Sequence, residues 1–213
     1  VEPYRTPDRW FAAAHAEGRG VELELLAIET ALDGARGLAG EIDLSVNASP
    51  ATLGDARLHA LLTSVGRRVV IEITEHAVIE DYPLLQGSVA QLRALGAKIA
   101  VDDAGAGFAS LRHVVQLAPD TIKLDMSLTQ DLAASPLRRA LAGALIEFAH
   151  TSGADLVVEG IEEQADLSAW SGLGAYAVQG YLVGRPGPLP AALLSPVVEA
   201  LHRGRQGPVT RSA

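Results

Sequence analysis

Lys98-Ile99-Ala100-Val101-Asp102-Asp103-Ala104-Gly105-Ala106-Gly107 decides how the rest of the chain is read. An apolar run with a β-branched core stops at two adjacent carboxylates, and a loop punctuated by glycines follows. Runs of this kind fit strands buried on both faces, as in parallel sheets. Two neighbouring carboxylates repel each other at neutral pH unless a cation or a proton neutralises them. Gly105 and Gly107 let the backbone turn sharply or approach a ligand closely. Taken alone, Asp-Asp-x-Gly also suits a solvated turn at a strand end, so its neighbours have to decide.

Outward from this stretch, strands and helices alternate. Strand patterns cover 41–47, 68–75, 98–103, 120–125, 155–160 and 175–180. Leu23, Leu26, Ala27, Thr30 and Ala31 have the spacing of a helix packed on one face, after a helical opening at Trp10. Further helices are predicted near 53–65, from Asp81 to Gly96 with Leu85, Val89, Leu92 and Leu95 inward, and near 108–117. A long helix with Leu137, Leu141, Leu145 and Phe148 on one stripe follows, then helices near 162–172 and 189–203. Strict alternation implies a parallel sheet, either barrel or doubly wound. The strands end their apolar runs on Asn47, Glu72, Asp102 with Asp103, Lys123, Glu159 and Gln179. In a (β/α)8 barrel the C-terminal strand ends converge on one face, where active sites sit, so the barrel is the better reading.

Composition narrows the chemistry. The 213 residues are 48% hydrophobic, enough for one domain with a full core. A net charge of −9 argues against nucleic-acid polymers as partners but permits a small phosphate ligand held through metal ions. Without cysteine there is neither a disulfide framework nor a thiolate zinc site, and the histidines show no metal-binding spacing. Charges interrupt every apolar stretch, so no membrane segment is expected and a cytoplasmic location is the default. An oxygen-rich acidic cluster selects hard cations such as Mg²⁺ or Mn²⁺. Asp102 and Asp103 could flank two ions that clamp the attacking and leaving oxygens of a phosphoryl displacement. Lys123 could hold a phosphate or hydroxide, and Glu159 could take its proton. Each residue also has a plainer reading: Asn47 as a turn former, Lys123 as an ion-pair partner of Asp125, Gln179 as a backbone-capping amide, and Glu75 as structural.

Leu44-Ser45-Val46-Asn47-Ala48-Ser49-Pro50, Glu72-Ile73-Thr74-Glu75, the Asp-Asp loop, Ile122-Lys123-Leu124-Asp125, Glu159-Gly160-Ile161-Glu162 and Gln179-Gly180-Tyr181 resemble, in order, the motifs of the EAL family. These are bacterial phosphodiesterases that linearise cyclic di-GMP. The resemblance runs from about Pro7 to Pro186. It implies that Asn47, Glu72 and Asp102 hold one ion and that Asp102 and Asp103 hold a second. It further implies Glu159 as metal ligand or general base, Lys123 as positioning the attacking water, and Gln179, Asp125 and Glu162 as supports. Glu75 resembles the residue that anchors the Asp-Asp loop. The implied cofactor is a pair of Mg²⁺ or Mn²⁺ ions, the substrate cyclic di-GMP and the product linear pGpG. A homodimer and a sensory or nucleotide-cyclase domain in the parent protein are the implied partners.

Two departures stand out. Nothing matches the Glu-Ala-Leu strand or the strand before it, and Thr6-Pro7-Asp8-Arg9-Trp10-Phe11 is similar to the segment that follows them. The expected fold is therefore an α/β, TIM-type (β/α)8 barrel missing its first two strands, spanning 1–203, with a disordered tail at 204–213. Its open edges would be an aggregation hazard, so an incomplete N-terminus is expected. Second, Ala104 and Ala106 replace a phenylalanine and a threonine, which should loosen the loop and weaken dimer-linked control without removing a metal ligand. The competing expectations are a catalytically silent EAL-like module that binds cyclic di-GMP or a protein partner, and, from fold analogy alone, an unrelated barrel enzyme.

Overall fold

The structure, a computed structural model, describes residues 6–74, 79–105 and 108–187. The helix expected near 189–203, the tail at 204–213 and Glu75 lie outside them. In chain order the elements are α1 (Pro7–Ala16), α2 (Gly20–Gly34), β1 (Leu44–Asn47), α3 (Pro50–Leu53) and α4 (Ala56–Ser64). Next come β2 (Val69–Thr74), α5 (Tyr82–Ala94), β3 (Lys98–Ala104), α6 (Phe108–Leu117) and β4 (Thr121–Leu124). The chain continues through α7 (Met126–Thr129), α8 (Pro136–Ser152), β5 (Asp155–Val158), α9 (Gln164–Leu173) and β6 (Ala177–Val178). Several helix starts carry side-chain caps that satisfy an otherwise unpaired N–H: Asp81 accepts from Leu84 N at 2.9 Å, and Asp55 from Arg57 N at 2.8 Å.

Among the described residues six strands pair in parallel and in sequence order, β1 to β6. Right-handed crossovers between consecutive neighbours put every connecting helix on one side of such a sheet. The sheet curls into an open arc of barrel wall. Among the described residues β1 and β6 each pair on one side only. Side chains alternate accordingly. Val46, Ile71, Ile99, Val101, Ile122, Leu156 and Val158 enter a core shared with Leu25, Leu58, Leu92, Val114 and Trp170 of the helices. The opposite, inner face carries Asn47, Glu72, Asp102 and Lys123 by the same alternation. Both lysines of the chain stand on it, Lys98 lying 3.9 Å from Asp155 and nearer the strand starts than Lys123.

The structure corrects several boundaries and two helix faces. The strand expected at 41–47 begins only at Leu44, and those expected to reach 160 and 180 stop at Val158 and Val178. Gly54 and Asp55 split the helix expected near 53–65 into α3 and α4. On α2 the buried face is Glu24, Leu25, Ile28 and Leu32, whereas Leu26 is 58% exposed. That face is rotated because Glu24, hydrophilic by composition, is drawn inward by Ser49 and Thr52 at the start of α3. On α8 Ala142 and Ala149 are fully buried and Leu145, as expected, packs against the core with Ile146, while Leu137 is 81% exposed and Leu141 and Phe148 also face solvent. Leu95, placed inward by its spacing, is exposed because it caps α5 rather than belonging to it.

Candidate active site

Three strands and one strand end converge on a single ammonium group. β4 delivers Lys123, whose Nζ lies 3.0 Å from Glu72 Oε2 on β2, 2.8 Å from Asp102 Oδ1 on β3 and 2.7 Å from Glu159 Oε1 just past β5. Lys123 and Glu72 are each only 7% exposed. A buried, unpaired ammonium or carboxylate would be prohibitively costly, so the cluster exists because its charges meet. The plainer reading of Lys123 as partner of Asp125 is not what forms. Asp125 lies past the end of β4 and caps α7, accepting from Ser127 N at 2.9 Å.

The last residues of β3 place both aspartates at the rim. The β3–β4 register shifts between Val101 and Ala104, and Asp103 adopts φ 54. A bulge of this kind re-aims side chains at a strand end, and aspartate tolerates the left-handed region better than most residues. Asp103 N donates to Asp102 Oδ1 at 3.1 Å. Gly105 takes φ 108, and an added Cβ there would collide with the Leu128 side chain. One carboxylate oxygen from each of Asp102, Asp103 and Glu159 lies within 4.8 Å of the others, close enough to share a cation.

Electrostatics follow from this packing. Burial alone would lower the Lys123 pKa, but the Glu72 charge and the contacts with Asp102 and Glu159 outweigh it and hold the ammonium above its ordinary range. Glu159 also ends above its ordinary value, which for a carboxyl group favours the neutral form. Burial pushes its pKa up, Lys123 pulls it down, and the charges of Asp102 and Asp103 add to the rise. Asp125 ends below the ordinary carboxylate value: burial raises it, but the bonds from Ser127 and Met126 prevail.

A family model described as EAL domain matches residues 2–186, most of the chain that carries this carboxylate-rich site. The chain belongs to the EAL domain family. It is 30% identical to the cyclic di-GMP phosphodiesterase RocR of Pseudomonas aeruginosa over 195 residues, covering 88% of this chain and 47% of RocR. Among solved structures it resembles the manganese and cyclic di-GMP complex of Klebsiella pneumoniae BlrP1. There the TM-score is 0.74 at 31% identity, over 85% of this chain and 48% of that one. The cyclic di-GMP complex of the phosphodiesterase PaMucR gives a TM-score of 0.75 at 26% identity, over 86% and 85% of the two chains. The chain spans 16–47% of the length of the first curated relatives it matches.

The residues of this EAL domain singled out from sequence fall into groups. Asp102, Asp103 and Glu159 share one potential cation position, and Glu72 joins them through Lys123. Asn47 stands beside Glu72 in the β1–β2 register, solvent-exposed on the edge strand. Gln179 and Glu162 are exposed beyond their strands, and Gln179 serves through its backbone, accepting from Ile161 N at 3.0 Å. No helix among the described residues is long and apolar enough to cross a membrane.

Sequence reasoning missed Glu24. From α2 its Oε2 accepts from Ser49 N at 2.8 Å and from the Thr52 hydroxyl at 2.6 Å, and Oε1 pairs with His15 at 3.0 Å. It thereby fixes the turn directly after Asn47. The available signal was a glutamate standing on the apolar stripe of α2.

Proposed function

We propose that this EAL domain is a phosphodiesterase that hydrolyses one phosphodiester bond of cyclic di-GMP and releases linear pGpG. The observation that carries the reading is the buried meeting of Glu72, Asp102, Lys123 and Glu159, with Asp103 at the rim. The donor set suits hard divalent cations: carboxylate oxygens only, from Asp102, Asp103 and Glu159, with Glu72 and the Asn47 amide beside them. Mg²⁺ or Mn²⁺ bound there would supply Lewis-acid polarisation of the phosphate and a lowered pKa for water.

The chain's own groups divide the remaining work. The Lys123 ammonium, kept charged by its three carboxylates, donates from Nζ to the oxygen of the attacking water and orients it. Glu159, whose pKa is raised by burial, is a stronger base than an ordinary glutamate and accepts the proton that this water gives up. The water oxygen bonds to phosphorus, the bond from phosphorus to the ribose 3′ oxygen breaks, and a proton returns to that oxygen. The named activities of RocR and PaMucR support this substrate.

The test is chromatography of cyclic di-GMP incubated with the chain and Mg²⁺ or Mn²⁺. Linear product that disappears with Glu159→Gln and with Asp102→Asn supports the proposal. Unchanged turnover in either variant removes the mechanism.

One observation favours a second reading. Lys123 already engages oxygens of Glu72, Asp102 and Glu159 that a cation would need. A module closed in this way would bind the nucleotide, or a protein partner, without hydrolysis. Retention of cyclic di-GMP in equilibrium dialysis with no linear product selects it.

A further inference from the structure

Glu159 is held at both backbone polar groups by the segment that carries Lys123. Its N–H donates to Leu124 O at 3.1 Å, and its carbonyl accepts from the Thr129 hydroxyl at 2.5 Å. Thr129 is fully buried at the end of the single turn α7. That turn is itself fastened from α9: Trp170 Nε1 donates to Thr129 O at 3.0 Å, and Asp166 accepts from Asp131 N and Ala133 N at 3.2 Å each. The peptide after Glu159 lies directly on α7. Gly160 takes φ 68, and an added Cβ would fall 2.4 Å from Met126 Cβ.

We infer that Thr129 is a positioning residue for Glu159, fixing through the Glu159 carbonyl where its carboxylate stands relative to Lys123. The inference rests on the reading of Glu159 as the proton acceptor proposed above. The Thr129 hydroxyl is the one side-chain donor that reaches the Glu159 backbone in the described structure. A methyl carbon keeps a carbonyl oxygen at about 3.3–3.6 Å. Thr129→Val therefore removes the donor and pushes the Glu159 peptide away from α7 while keeping the side-chain volume. Thr129→Ser keeps the donor and loses only a methyl group.

The experiment compares these two variants with the unaltered chain and with Glu159→Gln, by steady-state kinetics with cyclic di-GMP and Mn²⁺ and by crystal structures. Expected for Thr129→Val is a fall in kcat of about ten- to a hundredfold, the range for lost support behind a functional side chain, with KM changed by no more than about twofold. Thr129→Ser restores kcat. In the Thr129→Val crystal the Glu159 carboxylate leaves its position 2.7 Å from Lys123 Nζ, and in Thr129→Ser it returns. A Glu159 carboxylate that keeps its place in Thr129→Val overturns the inference whatever the kinetics, as does a kcat loss that serine fails to restore. Absence of turnover in the unaltered chain would sink the proposed hydrolysis alone, because the crystallographic comparison still decides the role of Thr129.

Discussion

At Lys123 two opposing effects meet: burial disfavours an ammonium, and carboxylate oxygens of Glu72, Asp102 and Glu159 at 2.7–3.0 Å favour it. The second wins, so its folded pKa lies above the unfolded value. The stability it contributes is therefore complete below the unfolded pKa of about 10.4 and is lost only as pH rises through the folded one. At neutral pH Lys123→Met should lower stability by about 3–5 kcal/mol, because three carboxylates lose their shared counter-charge. Thermal melting with and without Mn²⁺ checks this, and the added ion should recover part of the loss. Glu159 follows the same sign at a much lower pH. With its carboxyl pKa raised, the stability it contributes is present below the ordinary glutamate value, about 4.3, and is lost as pH rises through the folded one. Without divalent ions, Glu159→Gln should therefore melt higher than the unaltered chain at pH 8, and the two curves should converge at acid pH.

The elements tie these side chains to the backbone. Gly160→Ala should destabilise the fold by about 2 kcal/mol or more, since the left-handed region alone costs a residue with a Cβ roughly 1–2 kcal/mol and Met126 already fills the space. Chemical denaturation measures it, and an unchanged midpoint would mean that α7 can move away. The strands were readable because Val69-Val70-Ile71 and Ile99-Ala100-Val101 are apolar runs that no soluble helix surface would carry. Their terminal residues were readable because a parallel sheet delivers strand ends to one rim. The faces of α2 and α8 were not. Hydropathy counts Glu24 as outward and Leu137 as inward, whereas a hydrogen-bond partner 25 residues away decides the first, and on α8 the small Ala142 and Ala149 are buried where the larger Leu137 is not. Thr129 and Glu24 escaped for the same reason. Each acts on the backbone of a remote loop, and spacing along one element carries no trace of that.

For the whole molecule the dominant long-range fact is its charge. At −9 the domain repels an anionic dinucleotide, so local cations must overcome the general field. With divalent ions chelated by EDTA, affinity for cyclic di-GMP should fall. What binding remains should strengthen as salt is raised, because screening weakens repulsion. Calorimetry across a salt series tests this, and binding that weakens with salt would point to a cationic surface instead. The order of the strands bears on assembly as well as on the site. Leu44 pairs with Val69, Lys98 with Val70 and Thr121 with Asp155, so each ladder joins segments that are consecutive along the chain. A nascent chain can thus add one β–α unit at a time to a growing wall as it leaves the ribosome.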